Sequence, residues 1–208
     1  MTDPQTTQPA PPQTFVHAIA RWMIRPLVST AITPNHLTTL RLLTGVAAAL
    51  AFAVGDYFWV CWGGLLFVFS ALLDRADGEL ARLSGRMSKA GGRYDLCSDS
   101  FSNVIAFIGI GVGLRESFLG AWAPWLGLLA GLAVGAIFIV VMKLEDNGVA
   151  IGDAFYYPRG FDYDDALLLI GPIAWLDALL PLLLAAVVGA PVFLVFAVWR
   201  YLVVTRQK

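Results

Sequence analysis

Charge is scarce in this sequence. Only 14% of its 208 residues are Asp, Glu, Lys or Arg, and 14 basic side chains against 15 acidic ones leave a formal net charge of −1. No basic excess is available to neutralise a phosphate backbone, which excludes nucleic acid as a partner. Cysteine is nearly absent. Cys61 and Cys97 do not amount to a disulfide framework, and their places near opposite ends of neighbouring apolar segments argue against a bridge between them. Cys97 reads as a small helix-packing residue. The two histidines, His17 and His36, have no partner at metal-ligand spacing and read as interfacial or packing residues. No repeat of about 20–50 residues is present. The opening MTDPQTTQPAPPQ lacks the basic and apolar regions of a signal peptide and reads as a disordered cytoplasmic tail over residues 1–13.

Apolar residues take up the difference. They make up 58% of the chain, and the mean hydropathy is +0.72, above the roughly 45–50% apolar content of an ordinary soluble domain. Several runs reach the ~20 residues that cross a bilayer. The expected fold is all-α, an integral membrane protein with six transmembrane helices preceded by an N-terminal amphipathic helix. That first helix, over 14–32, mixes aromatics with Arg21 and Arg25 and reads as lying in the membrane interface. The six-helix domain fills 33–208, with spans near 35–54, 59–82, 90–114, 121–143, 165–187 and 191–204. Thr33 is a suitable N-cap for the first span and Pro34 fits its first turn.

Lys and Arg concentrate in the N-terminal helix, the second and fourth loops and the C-terminus, while the opposite loops hold only Arg115. The positive-inside rule therefore places both termini and the second loop in the cytoplasm. The setting expected is the inner or plasma membrane of a bacterium. The loop over 144–164 is the longest and is acidic, with Glu145, Asp146, Asp153, Asp162 and Asp164 beside Arg159. Gly127, Gly131 and Gly135 recur every four residues and form a flat ridge. Such a ridge serves packing inside the bundle or a homodimer seam.

Within this apolar chain the stretch LLDRADGELARLSGRMSKAGGRYDLCSDS, residues 72–100, carries four aspartates. If the second span continues through Arg82, Asp74 and Asp77 share a helix face, and Gly78, Ala81 and Arg82 extend it. Asp95 and Asp99 share a face of the next helix, with Gly91 one turn earlier. Two antiparallel helices meeting at Gly85 then bring the carboxylates to similar depth, just inside the cytoplasmic interface. Four unpaired anions there are costly, and only Arg82 and Arg41 are expected to contribute counter-charge. Divalent cations resolve the cost. All-oxygen donors suit Mg²⁺, Mn²⁺ or Ca²⁺ rather than zinc, four carboxylates can hold two ions, and paired metals serve phosphoryl chemistry. A solvated charged loop would show no such spacing. An ion-conducting path would continue through the membrane, yet the fourth and sixth spans offer no carboxylate.

These residues also resemble a known family. Asp74-x-x-Asp77-Gly78-x-x-Ala81-Arg82, eight residues, then Gly91-x-x-x-Asp95-x-x-x-Asp99 is similar to the signature of the CDP-alcohol phosphotransferases, also called CDP-alcohol phosphatidyltransferases. The six spans, the interfacial helix and TPNHLTTLR entering the first span fit as well. The resemblance implies transfer of a phosphate-linked alcohol from a CDP-alcohol, usually CDP-diacylglycerol, to a small alcohol acceptor, with release of CMP. It implies that Asp74, Asp77 and Asp95 hold two divalent cations, Mg²⁺ or Mn²⁺, and that Asp99 is a metal ligand and the candidate catalytic base. Gly78, Ala81, Arg82 and Gly91 would frame the cytidine diphosphate.

Asn35 and Arg41 lie on the helix entered by TPNHLTTLR and are candidates for the nucleotide; Arg41 equally suits a balancing charge for the aspartates. For an anionic acceptor, as in phosphatidylglycerophosphate or phosphatidylinositol-phosphate synthases, the candidate ligands are Lys143, Arg159 and Arg200. All three also suit interfacial anchoring, and the acidic fourth loop mildly favours an uncharged acceptor. Two other function classes are a catalytically silent scaffold and a divalent metal transporter.

Overall fold

A computed structural model describes residues 15–146 and 165–206 of the chain. The expected tail over 1–13, Arg159, and Asp153, Asp162 and Asp164 lie outside the described residues, as does the side chain of His17. Every described element is a helix. In chain order these are α1 (Phe15–Ile24), α2 (Pro34–Val54), α3 (Tyr57–Ser84), α4 (Lys89–Gly113), α5 (Ala123–Asp146), α6 (Asp165–Leu168), α7 (Ile170–Trp175) and α8 (Leu179–Arg206), with single 3-10 turns at Arg25–Leu27, Leu114–Glu116 and Gly120–Trp122. Five, built on α2, α3, α4, α5 and α8, are long and apolar enough to cross a membrane.

The first three helix boundaries follow local chemistry. Thr33 is extended before α2, Pro34 occupies its first turn, and the Thr33 N–H donates to His36 Nδ1 at 3.3 Å. His36 is thus a capping residue. Gly55 ends α2 at φ +82°, and Asp56 starts α3 by accepting from the Phe58 N–H at 2.9 Å. Gly85 ends α3 at φ +66°, a left-handed conformation that costs glycine little. The Arg86 N–H then donates to Ala81 O at 3.1 Å. Three residues later Ser88 Oγ accepts from the Gly91 N–H at 3.0 Å and α4 begins. The α3–α4 hairpin therefore turns where the sequence placed it.

Glycine sets the spacing of α2, α4 and α5. A Cβ on Gly109 would overlap Ala49 O, one on Gly113 would overlap Phe52 O, and one on Gly127 would overlap Phe107 O. A Cβ on Gly131 would lie 2.7 Å from Val104 O, and one on Gly135 3.0 Å from Ser100 Oγ. The glycine ridge of α5 is used against α4 of the same chain. It packs the bundle and leaves no room on that ridge for the homodimer seam that was its other reading. Phe52, Phe67, Phe107 and Ile110 fill the core beside this contact, joined by Ile170, Ala174 and Leu183 from the last helices.

The second half departs from expectation. Spans at 165–187 and 191–204 are replaced by the short α6 and α7, a turn at 176–178 and one long α8. The reversal is carried by Asp177 at φ +54°, a conformation that Asp tolerates better than most residues. Pro191, expected to begin a span, lies inside α8. Within a membrane helix a lost N–H bond is re-satisfied by local adjustment, so proline is a weak boundary there.

α7 lies along α3. Trp175 Nε1 donates to Cys61 O at 3.1 Å, and Tyr57 Oη donates to Trp175 O at 2.9 Å. Leu167 lines a small cavity together with Ala71 and Asp74. α1 packs on α3 near its C-terminal end, burying Ala20 and Ile24 against Leu73, Ala76 and Leu80, while Trp22 is exposed. Cys61 and Cys97 are both free, and Cys97 is exposed on α4 rather than packed.

Candidate metal and nucleotide site

The hairpin brings the aspartates of α3 and α4 face to face, and α2 closes the third side. Carboxylate oxygens of Asp74, Asp77 and Asp95 all lie within 4.8 Å of one another. Asp77 is buried and accepts from Thr38 Oγ1 at 2.6 Å. The donor set is three carboxylates on two rigid helices. It fits a hard divalent cation, which takes oxygen ligands and tolerates a partly protein, partly solvent shell.

Asp99 stands beside this group. Its Oδ1 pairs with Arg41 Nη2 and accepts from Asn103 Nδ2 at 3.0 Å. Arg41 is the hub of the site. Its side chain is only 4% exposed, and Nη1 lies 3.1 Å from Asp74 Oδ1 and 3.4 Å from Asp95 Oδ1. Ser70 Oγ anchors the α2 backbone there by donating to Arg41 O at 2.9 Å. Of its two sequence readings, balancing the aspartates is the one this arrangement supports.

The counter-charges differ from expectation in two ways. Arg75, which the sequence reading passed over, donates to Asp74 Oδ2 at 2.6 Å. Arg82, expected among the aspartates, instead donates from Nη2 to Glu79 Oε1 at 2.8 Å. Among the described residues, four carboxylates facing Arg41 and Arg75 leave a formal excess of two negative charges. That excess keeps the case for a bound cation.

Two cavities open from the cluster. The larger, about 180 Å³, is lined by Asn35, Gly78, Ala81, Arg82 and Gly91, with Asp77 and Asp95 at its base. Five of the six residues expected at the nucleotide thus line one space; Arg41 does not. A Cβ on Gly78 would lie 3.6 Å from Arg82 Nη2, so that guanidinium lies back across Gly78. The smaller cavity, about 20 Å³, is lined by Arg41, Asp74, Asp99, Ser102, Asn103 and Phe138. It has room for one water, and Arg41 Nε and Ser102 Oγ, both buried, have no hydrogen-bond partner among the described residues.

The basic residues proposed for the acceptor are further out. Lys143 is in the last turn of α5, and Arg200 is on α8 three residues beyond Ala197, which packs on Val141 and Leu144. Neither lines either cavity. Sequence reasoning also missed Glu79, whose side chain is 2% exposed and which accepts from Arg21 Nε at 3.0 Å as well as from Arg82. An acidic residue inside the signature was the available signal.

Residues 31–199 match the family model described as CDP-alcohol phosphatidyltransferase. Among curated relatives, the archaetidylinositol phosphate synthase of Pyrococcus horikoshii is 35% identical over 146 residues, covering 61% of this chain and 76% of the relative. A bifunctional IPC transferase and DIPP synthase of Archaeoglobus fulgidus is 43% identical over 70 residues, which is 34% of this chain but 14% of that protein's length. Among solved structures, a Mycobacterium tuberculosis phosphatidylinositol phosphate synthase with CDP-DAG bound superposes with TM-score 0.59 at 22% identity, covering 90% of both chains. The same synthase in complex with manganese and citrate gives 0.58 at 24% identity, covering 88% of both. At these identities the structural likeness is one of fold.

Proposed function

This chain belongs to the CDP-alcohol phosphatidyltransferase family, and from that premise we propose that it moves a phosphatidyl group from CDP-diacylglycerol to a small polar alcohol and releases CMP. One observation carries the reading: carboxylate oxygens of Asp74, Asp77 and Asp95 lie within 4.8 Å of one another, and two of the three, Asp77 and Asp95, line the cavity framed by the signature residues. Two divalent cations, Mg²⁺ or Mn²⁺, held by Asp74, Asp77 and Asp95 with Asp99 adjoining, supply the charge that a diphosphate and a leaving phosphate require. The manganese in the solved relative supports that choice.

The chain's own residues do the rest. Gly78, Ala81 and Gly91 leave the cavity wall open to cytidine, and Arg82 offers the diphosphate a charge-assisted donor. Among the described residues, the two hydrogen bonds to Asp99 both fall on Oδ1. That leaves Oδ2 for the acceptor's proton. The acceptor oxygen bonds to the phosphorus that carries the diacylglycerol, the bond from that phosphorus to the oxygen of CMP breaks, and CMP departs with the electron pair.

In this reading the Gly85 end of the bundle is cytoplasmic, as the skew of Lys and Arg requires, and α1 lies in that interface. α6 and α7 lie along α3, with Trp175 bonded to Tyr57 and Cys61, and we take this short apolar stretch, 166–175, as part of the sixth crossing. A cysteine replacing Met87, exposed in the hairpin, will be labelled only from the cytoplasmic side, and one replacing Glu116 only from the other. Native Cys61 and Cys97 are first changed to Ser. Labelling of both from one side overturns this topology.

A second reading, an anionic acceptor such as inositol phosphate or glycerol phosphate, is favoured by the relatives' names and by Lys143 and Arg200 near one end of α5 and α8. The deciding experiment is CMP release from CDP-diacylglycerol with serine, glycerol, glycerol phosphate and inositol phosphate in turn. Release with one of them, abolished by EDTA and restored by Mg²⁺ or Mn²⁺, supports the transferase. Metal-dependent release with none of them would leave the silent scaffold as the better account, and an uncharged winner would reduce Lys143, Arg159 and Arg200 to anchors.

A further inference from the structure

Glu79 is a buried carboxylate that the proposed chemistry does not use. It lies within the signature but points away from the aspartate cluster, and it is shared by two arginines from different elements. Arg21 of α1 donates to it through Nε at 3.0 Å and Nη2 at 3.4 Å. Arg82 of α3 donates to Oε1 at 2.8 Å. The carboxylate is 2% exposed, whereas Arg21 and Arg82 are about one-third exposed at 36% and 35%. A carboxylate this deep is retained only with full pairing, and the Arg21 fork and the single Arg82 bond supply it.

The consequence lies with Arg82. An arginine at a helix surface has several long rotamers, and ordering one costs entropy. Here the guanidinium is turned back one turn along α3, over Gly78 and along the wall of the 180 Å³ cavity. Gly78 gives it room, and Glu79 holds it there. Glu79 is in turn held by a residue of another helix. α1 is seated on α3 by Ala20, Ile24, Leu73, Ala76 and Leu80, and that seat sets the reach of Arg21.

We propose that Glu79 and Arg21 are positioning residues for the donor nucleotide: the relay Arg21–Glu79–Arg82 fixes the Arg82 guanidinium in its cavity, so that the docking of α1 sets donor affinity. The proposal rests on the reading that Arg82 contacts the donor's diphosphate. Among the described residues neither Glu79 nor Arg21 hydrogen-bonds or ion-pairs with the aspartates, so the chemical step is separate from the relay.

The test is steady-state kinetics of the full-length protein in mixed micelles, with CDP-diacylglycerol and the acceptor varied separately. Glu79→Gln keeps the size and removes the charge. Its KM for the donor will rise about tenfold, the size of one charge-assisted bond, with kcat and the acceptor KM changed less than about twofold. Arg21→Met will raise the same KM severalfold, and Arg21→Lys will restore part of the loss. Arg82→Met sets the ceiling, and adding Glu79→Gln to it will raise the donor KM no further. A lower kcat at constant donor KM in Glu79→Gln, tracking a lower Tm, means a purely structural carboxylate and overturns the relay. Independent, multiplying effects of Glu79→Gln and Arg82→Met overturn it too. If Arg82→Met leaves donor KM unchanged, the placement of the nucleotide is at fault and the relay falls with it. If Arg82→Met raises it and Glu79→Gln does not, the relay alone fails.

Discussion

Asp99→Asn will reduce kcat by about 10²–10⁴, the range for loss of a general base, while leaving donor KM and Mn²⁺ affinity close to wild type. Asn keeps the shape and one oxygen but cannot take the acceptor's proton. The fold should survive the change. Arg41, which loses one partner, keeps Asp74 at 3.1 Å and Asp95 at 3.4 Å, so no buried guanidinium is stranded. Asn103 keeps an oxygen to donate to. The measurements are single-turnover rates with CDP-diacylglycerol and Mn²⁺ binding followed by electron paramagnetic resonance. Normal turnover would place the base elsewhere. Loss of Mn²⁺ binding would make Asp99 a ligand first, drawn into the cluster away from Arg41.

Asp74→Asn has a different signature. Asp74 belongs to the three-carboxylate group and is also the anion to which both Arg41 and Arg75 turn. Removing its charge will weaken Mn²⁺ binding by at least about a hundredfold, beyond the 10–100-fold typical of outer-shell changes, and donor affinity will fall with it. Asp95→Asn should act the same way. Calorimetric titration of Mn²⁺ into purified protein reads the effect without substrate. Unchanged Mn²⁺ affinity in both variants would sink the metal site on these helices, whatever happens to turnover.

The parts of this molecule legible in its sequence are those set by local rules. Thr33 and Pro34 start α2, Gly85 ends α3, and Ser88 opens α4 within one residue of expectation, because caps and left-handed glycine are properties of a few neighbouring residues. The spacing of Asp74, Asp77 and Asp95 is legible for the same reason: helical periodicity on two helices joined by a short turn fixes their separation. Arg41 was ambiguous because its partners are 33 to 58 residues away on other helices, and only the crossing of α2 over the hairpin decides between them. Arg75 was missed because it follows Asp74 directly, and adjacent helix residues are not ordinarily taken as partners. Arg82 does not join the counter-charge of the aspartates because Glu79, one turn before it, is a nearer anion. The turn between α7 and α8 is hard to read because Asp177 reverses the chain, while the usual breakers nearby, Gly171, Pro172 and Pro181, lie inside helices. Pro191 drew the boundary to itself, as it would in water.

The length of α3 has a kinetic meaning. Its 28 residues extend about 42 Å, more than the roughly 30 Å of a bilayer's hydrocarbon. Asp74 is 17 residues beyond Tyr57, about 26 Å along the axis. On the proposed topology, the carboxylates therefore stand at the inner margin of the hydrocarbon, where the head of an embedded lipid resides. With the lipid donor proposed above, the substrate reaches them by lateral diffusion and never desorbs. Encounter is then a two-dimensional event, and the quantity that fills the site is the donor's mole fraction among its neighbours, not its amount per volume of cell. Each molecule of unrelated lipid added to the leaflet dilutes the substrate, so the protein's rate follows the composition of the membrane in which it sits.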